Sequence, residues 1–503
     1  MRSKITRVIV GVTAIALALA GCSSSSSKSS AQSLGDKITL GLIAEPASLD
    51  FTTTDGAAIP QALMDNVYET LVRVDDKTGK IVPALAKSWT VSDDRLTYDF
   101  DLVDNAKFSS GQKFTADDAV FSINYVKTKW TTSVKSAMSV VASATAISPT
   151  KLEVKLSAPS NGWLYKMTTR VGAMMTQSGV ADLANKPIGT GPYTFTSWTR
   201  GDAMTFTRNA DYWAKKPQFK TVVLKYFTDP TAMNNALLSG SIDVVTTLQT
   251  PESLDQFTTG ANKSKYQVID GTTNGEVVLS MNQANPDLAN LKVRQAIRYG
   301  IDHKALLNNC WAGKGTLIGS MAPPTDPWYQ DRTGDFPYDP NKAKSLLQEA
   351  GKTNITLRLR LPTLPYATAC GPEVKSQLSK IGITVNIDTL EFPAAWLKTV
   401  FTNHDFDMSI VAHTEPRDAP NVFGTPGYYT SFNNPQVNAL FASADTGTPA
   451  QQITDMQSAE KQISQDAAAD FLFLLPNLVV AKKAVNGIPK NAITESLRFF
   501  ELS

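Results

Sequence analysis

Beginning at Leu279, the chain runs through a short apolar stretch, turns at Asn285-Pro286-Asp287, and then spaces Val293, Ala296, Ile297, Ile301 and Ala305 by threes and fours. That spacing predicts one long amphipathic helix over 291–307 with a single buried face. Lys292, Arg294, Gln295, Arg298 and Lys304 fall on its other faces. Around it, period-two alternation predicts half-buried strands at Lys37–Leu42 and Lys151–Leu156, and over 97–102, where Tyr98, Phe100 and Leu102 share one side. Thr115, followed by Asp117 and Asp118, marks a helix N-terminus. Residues 61–72 read as a helix, and 236–244 as a helix ended by Gly240 and followed by a strand. Farther on, a helix over 338–351 starts at Asp339-Pro340 and stops at Gly351. A strand over 356–361, a helix over 373–380 and a strand over 383–387 follow, an α/β rhythm with crossover connections.

The first residues carry a different pattern. Arg2, Lys4 and Arg7 precede an apolar run over 8–20 that is too short to span a bilayer comfortably, so it reads as a leader (1–21). It ends in Leu19-Ala20-Gly21-Cys22, which resembles a bacterial lipobox. In proteins with that motif cleavage precedes the cysteine, so Cys22 is the expected lipidation site and several acyl chains would hold the protein on a membrane. Residues 22–35 form a Ser-rich tether. The remainder would be extracytoplasmic.

Composition narrows the function. A chain of 503 residues supports two or three lobes with their own cores. A net charge of +2 without a basic stripe argues against a nucleic-acid partner. Three cysteines and three histidines, with no CxxC and no HExxH, give no metal framework, and no cofactor is expected. Gly189-Thr190-Gly191 fails as a dinucleotide loop because Thr194 stands at the third glycine position. Gly351-Lys352-Thr353 fails as a phosphate loop because Leu346 stands where the upstream glycine belongs. No GxSxG elbow occurs. His413 follows an apolar strand over 408–411 and opens the polar loop His413-Thr414-Glu415-Pro416-Arg417-Asp418. A strand end leading into ionisable loop residues is where α/β lobes place ligands; the alternative is a solvated loop with a local Arg417–Asp418 pair.

Laid end to end, these landmarks form an ordered set: VYETL (67–71), VPALAKSW, SDDRLTYDFDL, KFSSGQKFTADDAVFSI, IGTGPY, RNADYW, GSIDV, VRQAI with YGID, YDPNKAKSLLQEAG and LSKIGITVNI. The set resembles the extracytoplasmic solute-binding lipoproteins of ABC importers, in the peptide/nickel (dipeptide- and oligopeptide-binding, family 5) class. The resemblance covers essentially the whole chain after the leader. It implies a two-lobed, periplasmic-binding-protein-like α/β fold (class II, cluster C type) with a hinge and an interlobe cleft. Lobe I would comprise 36–272 plus 470–503, with an extra subdomain at about 56–187, and lobe II 273–469. It further implies a non-enzymatic, monomeric protein that captures a solute, most simply a peptide, and delivers it to importer permease subunits. Alternatives are a metal chelate, an oligosaccharide or another small solute, and a secreted hydrolase using His413 with Glu415 or Asp418.

Site residues carried over from the resemblance are Glu45, Asn282, Trp396, His413, Thr414, Glu415, Arg417, Asp418 and Tyr428. In peptide-binding relatives the loop after the Phe-Asp strand carries an aromatic residue and an aspartate that holds the peptide amine. Here, after Phe406-Asp407, His413 stands at the aromatic position and Pro416 at the aspartate position, with Glu415 and Asp418 flanking it. With Cys22 lipidated, Cys310 and Cys370 would form either a disulfide or two free thiols.

Overall fold

Ten strands form one continuous sheet in the computed structural model, which describes residues 34–503; the leader, Cys22 and most of the Ser-rich tether lie outside the described residues. In chain order the strands are β1 (Lys37–Leu42), β2 (Tyr193–Thr199), β3 (Ala203–Arg208), β4 (Thr221–Tyr226), β5 (Val244–Val245), β6 (Tyr266–Met281), β7 (Thr356–Pro362), β8 (Thr384–Leu390), β9 (Met408–His413) and β10 (Ala469–Lys482). In space they run β8-β7-β9-β6-β10-β5-β1-β4-β3-β2. The strands β6 and β10 have 16 and 14 residues, against about 5–6 for an ordinary strand, because each passes through both lobes. They pair antiparallel in two blocks, 266–272 against 476–482 and 276–280 against 469–474, and the register shifts between Thr272 and Glu276.

The shift is stitched by side chains. Thr273 Oγ1 donates to the Leu475 carbonyl at 2.7 Å and accepts from the Gly275 N–H at 2.9 Å. Asn274 Nδ2 donates to the Ile493 carbonyl at 2.8 Å, so the C-terminal segment crosses the break and braces it. A Cβ on Gly271 would lie 1.7 Å from the Lys490 carbonyl oxygen. Only glycine permits that approach.

Each lobe has its own core. The first packs Ile38, Leu40, Phe51, Tyr68, Phe206 and Leu224 with a four-stranded antiparallel sheet. That sheet is ordered Ala86–Val91, Thr97–Leu102, Lys151–Leu156, Val141–Ser148, and it buries Tyr98, Phe100 and Leu102 together. The second lobe packs Val277, Leu279, Val293, Ile297, Leu357 and Met408. Among the described residues no helix is long and apolar enough to cross a membrane.

In lobe I the sequence landmarks converge on one buried carboxylate. Thr190 Oγ1, the Tyr212 hydroxyl and Trp213 Nε1 each donate to Glu69 at 2.8 Å, joining VYETL, IGTGPY and RNADYW. Burial pushes the Glu69 carboxyl up to about 7 even against these three donors. Gly189 and Gly191 serve close packing, since a Cβ on either would meet the Val67 or Asn66 carbonyl at 1.9 or 2.5 Å. The helix expected over 61–72 is confined to Ala58–Leu63, since Asp65 turns the chain with φ +59° and Glu69 must point inward to its donors.

The long helix expected over 291–307 is two helices, Leu291–Gly300 and His303–Trp311. Ile301 is extended, and Asp302 caps the second helix by accepting from the Ala305 N–H at 2.9 Å. Nor are all its charged residues on open faces. Arg298 is 2% exposed and donates to the Ser464 carbonyl at 2.8 Å and to Asp470 Oδ1 at 3.3 Å, with its guanidinium 4.1 Å from the Phe336 ring centre. His303 Nε2 lies 2.8 Å from the same Asp470 oxygen. Arg294 is buried too and caps the Leu288 and Ala467 carbonyls at 2.8 and 3.1 Å. Cys310 and Cys370 are disulfide-bonded, tying helix His303–Trp311 to helix Pro365–Ser379.

Asp470 has no exposure, and it neutralises a cation that is as deeply buried as itself. Asp470→Ala leaves Arg298 uncompensated, and breaking such a pair costs about 3–5 kcal/mol. Urea unfolding of the variant should show a loss of that size; a loss below about 1 kcal/mol would contradict this role for the pair.

Candidate ligand-binding site

A cavity of about 380 Å³ lies between the lobes. Lobe I contributes its inner wall from residues 134–171 and lobe II from Trp328, the loop after β9 and residues 441–456, while Glu495 enters from the C-terminal segment. Rings line much of it: Trp163 and Tyr165 on one side, Trp328 and Phe441 on the other. A volume near the small end of the usual range for ligand pockets, about 300–1,000 Å³, suits a small solute.

The loop after β9 brings charge into this space. Arg417 holds φ +57°, a left-handed value uncommon outside glycine, and this turn sets its side chain among rings from both lobes. The Arg417 guanidinium lies 3.8 Å from the Tyr165 ring centre and 5.1 Å from that of Trp328. Its Nε is 3.6 Å from Asp326 Oδ1. Nearby, Arg170 of lobe I is 4% exposed and carries an ion pair to each side: Glu415 of lobe II at 3.5 Å and Glu495 at 3.3 Å. Glu495 also accepts from the Arg170 backbone N–H at 2.8 Å. Burial works against the Arg170 charge, but Glu495, Glu415 and Asp55 outweigh it and hold the guanidinium ionised. For Glu415 burial pushes upward, and Arg170 and then His413 bring its carboxyl below the usual range.

Of the residues expected at the site, Glu415 and Arg417 line the cavity. His413 stands behind them, buried, with Nε2 at 2.9 Å from the Tyr429 hydroxyl and Nδ1 at 3.6 Å from Asp418 Oδ2. Asp418 is buried and accepts from Asn421 Nδ2 at 2.7 Å, so it has turned from the cavity into the loop. Thr414 is exposed on that loop, and the half-buried Tyr428 packs edge-on to Phe401.

Three expected residues are placed elsewhere. Glu45 accepts from Trp198 Nε1 at 2.7 Å and from the Gly201 N–H, fastening its loop to the β2–β3 hairpin. Asn282 donates to the His404 and Phe406 carbonyls at 3.0 and 3.1 Å and closes a turn. Trp396 is buried and donates to Ser409 Oγ at 3.1 Å within a cluster of Val400, Phe406 and Tyr429. Their polar atoms are spent on scaffolding. Lys166, Arg170, Trp328, Asp445 and Glu495 line or frame the cavity without having been singled out from the sequence. The local sign for the first is the run Trp163-Leu164-Tyr165-Lys166, two rings and a cation in four residues; Glu495 has none, because only the C-terminal crossing of the hinge brings it there.

Beside the lobe II wall, three carboxyls are buried with one oxygen unpartnered in each: Glu276 Oε2, Asp326 Oδ2 and Glu460 Oε1. Burial pushes Asp326 up to about 6, against the pull of Arg417. It pushes Glu460 up to about 8, and holds Glu276 well above the ordinary range. Among the described residues no group of three or more His, Cys, Asp or Glu side chains is placed to hold a metal ion.

Comparison with known proteins agrees with this architecture. The family model described as bacterial extracellular solute-binding proteins, family 5, middle region, matches residues 80–435. A Brucella ovis protein named for ABC-transporter peptide binding is 30% identical over 349 residues, which cover 65% of this chain and 63% of that protein, so the chain matches less than two thirds of that relative's length. Heme-binding protein A of Haemophilus influenzae is 28% identical over 434 residues, 78% of each chain. The solved structure of Helicobacter pylori DppA in complex with the peptide STSA superposes with a TM-score of 0.84 at 21% identity, covering 93% of this chain and 97% of that one, a likeness of fold.

The acid group gives a signed pH dependence. A carboxyl whose folded pKa is raised contributes stability that is complete below its unfolded pKa and is lost as pH rises through the folded value. For Glu460 that window runs from 4.5 to about 8. Urea midpoints measured across it should decline with pH, and Glu460→Gln should flatten the decline. An unchanged slope in the variant would show that Glu460 is not held protonated.

Proposed function

The chain belongs to the bacterial extracellular solute-binding proteins of family 5, and on that premise we propose that it captures a small solute between its lobes for delivery to an ABC importer. The observation that carries this reading is the cavity walled by both lobes, because a ligand favours a closed form only through contacts that the open form lacks. The break in β6 and β10 supplies the hinge for that motion. The protein acts as a binder rather than an enzyme, in keeping with its family, and the two ring nitrogens of His413 face Tyr429 and Asp418 in the interior.

A peptide is the preferred solute. The cavity offers rings for apolar side chains and charges of both signs for peptide ends. Glu415 is the acid best placed to take the amine, because it faces the cavity while Asp418 is consumed by Asn421 and Pro416 offers no charge. A metal chelate or sugar would use the same cleft through different contacts.

Thermal unfolding with a panel of peptides, sugars and metal chelates tests this reading. A cognate solute at about 100 times its Kd should add about 2.7 kcal/mol of stability with no chemical turnover. Failure of every class to stabilise the protein, or steady product formation, would overturn it.

The anchoring role of Cys22 belongs to the same proposal, since the lipobox-like sequence precedes a polar tether. Cys22→Ala in the full chain should release the protein from the membrane fraction and abolish incorporation of labelled fatty acid; persistent labelling would refute it.

A further inference from the structure

The cations and acids of the cavity are unequally committed. Arg170 is shared between Glu415 and Glu495. Arg417 is held by Asp326 and by two ring faces. Lys166 differs. It ends the short helix Trp163–Lys166 and lines the cavity beside Tyr165. Among the described residues its ammonium has no hydrogen bond or ion pair, and the acid that feels its charge is Asp326, which already has Arg417. Lys166 is half-buried beside aromatic walls, and a carboxylate held in the cavity would make a charge-assisted contact with its ammonium.

One end of the same cavity is shut by a contact between the lobes. Helix Pro435–Thr446 of lobe II ends with carbonyls that its own turns cannot satisfy, and lobe I supplies their partners. Asn161 Nδ2 donates to the Ala444 and Gly447 carbonyls at 2.8 Å each, and the Asn161 N–H to the Asp445 carbonyl at 2.8 Å. Arg95 donates to the Thr446 and Gly447 carbonyls at 2.6 Å each. Ser160 Oγ and the Gly162 N–H meet on Asp445 Oδ1 at 2.8 and 2.9 Å. Ser160, Gly162, Ala444 and Asp445 also line the cavity, so the cap that joins the lobes is its end wall.

We propose that the cavity selects a short solute bearing a free carboxylate, with Lys166 as the carboxylate's partner and the Ser160–Gly162/Asp445 contact as the wall that excludes longer chains. This rests on the solute-capture reading and gives it a substrate class. A long chain threading that end would have to separate Asn161 and Arg95 from the helix terminus and forfeit the closed form. A short one is enclosed without disturbing it.

Titration calorimetry on the whole protein decides the matter with the tripeptide Ala-Phe-Ala, its C-terminal amide, a sugar acid and its neutral sugar, a metal chelate, and octapeptides extending the tripeptide at either end. Expected is binding of at least one short free carboxylate, with its amide or neutral analogue weaker by about tenfold or more, the worth of a charge-assisted contact. Lys166→Gln should bring acid and amide to equal affinity, while Lys166→Arg keeps them apart and both variants melt like the parent. The octapeptides should bind at least about tenfold more weakly than the tripeptide, and Asp445→Ala should narrow that gap. Equal affinity of acid and amide, discrimination that survives in Lys166→Gln, or an octapeptide bound as tightly as the tripeptide would overturn the proposal. Capture of a neutral sugar or a metal chelate alone would also overturn it, yet leave solute capture standing.

Discussion

Everything in this molecule is built out from two long antiparallel strands that neither lobe owns. Because β6 and β10 pair on both sides of the break at Thr272 to Glu276, each lobe grows its sheet from the same ribbon. Lobe I adds β5 to β10 through Val244 and Val245, and lobe II adds β9 to β6 through Glu276 to Met281. A backbone ladder resists sliding, whereas the break holds few ladder bonds and is held by Thr273, Asn274 and the C-terminal segment. A relative motion of the lobes, where it occurs, would be concentrated in this short stretch of chain.

The contacts across the cleft divide into two kinds. Around Arg170 the chemistry is ionic, an almost fully buried guanidinium serving Glu495 of its own lobe and Glu415 of the other. At the end of helix Pro435–Thr446 it is the capping of carbonyls by Asn161 and Arg95. The first kind is open to competition from a charged ligand. The second joins a guanidinium and an amide of one lobe to backbone carbonyls of the other.

The fold was far more legible in the sequence than the site. Alternation and capping signals found strands such as Lys151–Leu156 and the helix Ala116–Lys129, because those signals are local. They misjudged residues 291–307, where apolar spacing continued across a real break: Asp302 is a cap as well as a polar residue, and only its partner, the Ala305 N–H, shows which role it has. Arg294 and Arg298, which the spacing puts off the apolar face, are buried. A charge in a sequence looks solvated until its acid or carbonyl is found, and Asp470 and Ala467 lie more than 160 residues away. Site residues suffer most from this. Glu45, Asn282 and Trp396 carry the right atoms, but those atoms are consumed by near neighbours in the fold.

That difference in commitment separates scaffold from site. Glu69 accepts from three donors on two separate landmark stretches, so replacing any of the four side chains leaves a buried polar atom without its partner. Such residues hold the fold whatever the solute is. Lys166 lines the cavity without an ion pair among the described residues, and changing it leaves no buried partner stranded. A scaffold closed on itself around a few open groups allows recognition to be altered without unfolding the frame. The family landmarks therefore go with the scaffold of this chain, whereas Lys166 and the loop after β9 stand on the cavity wall.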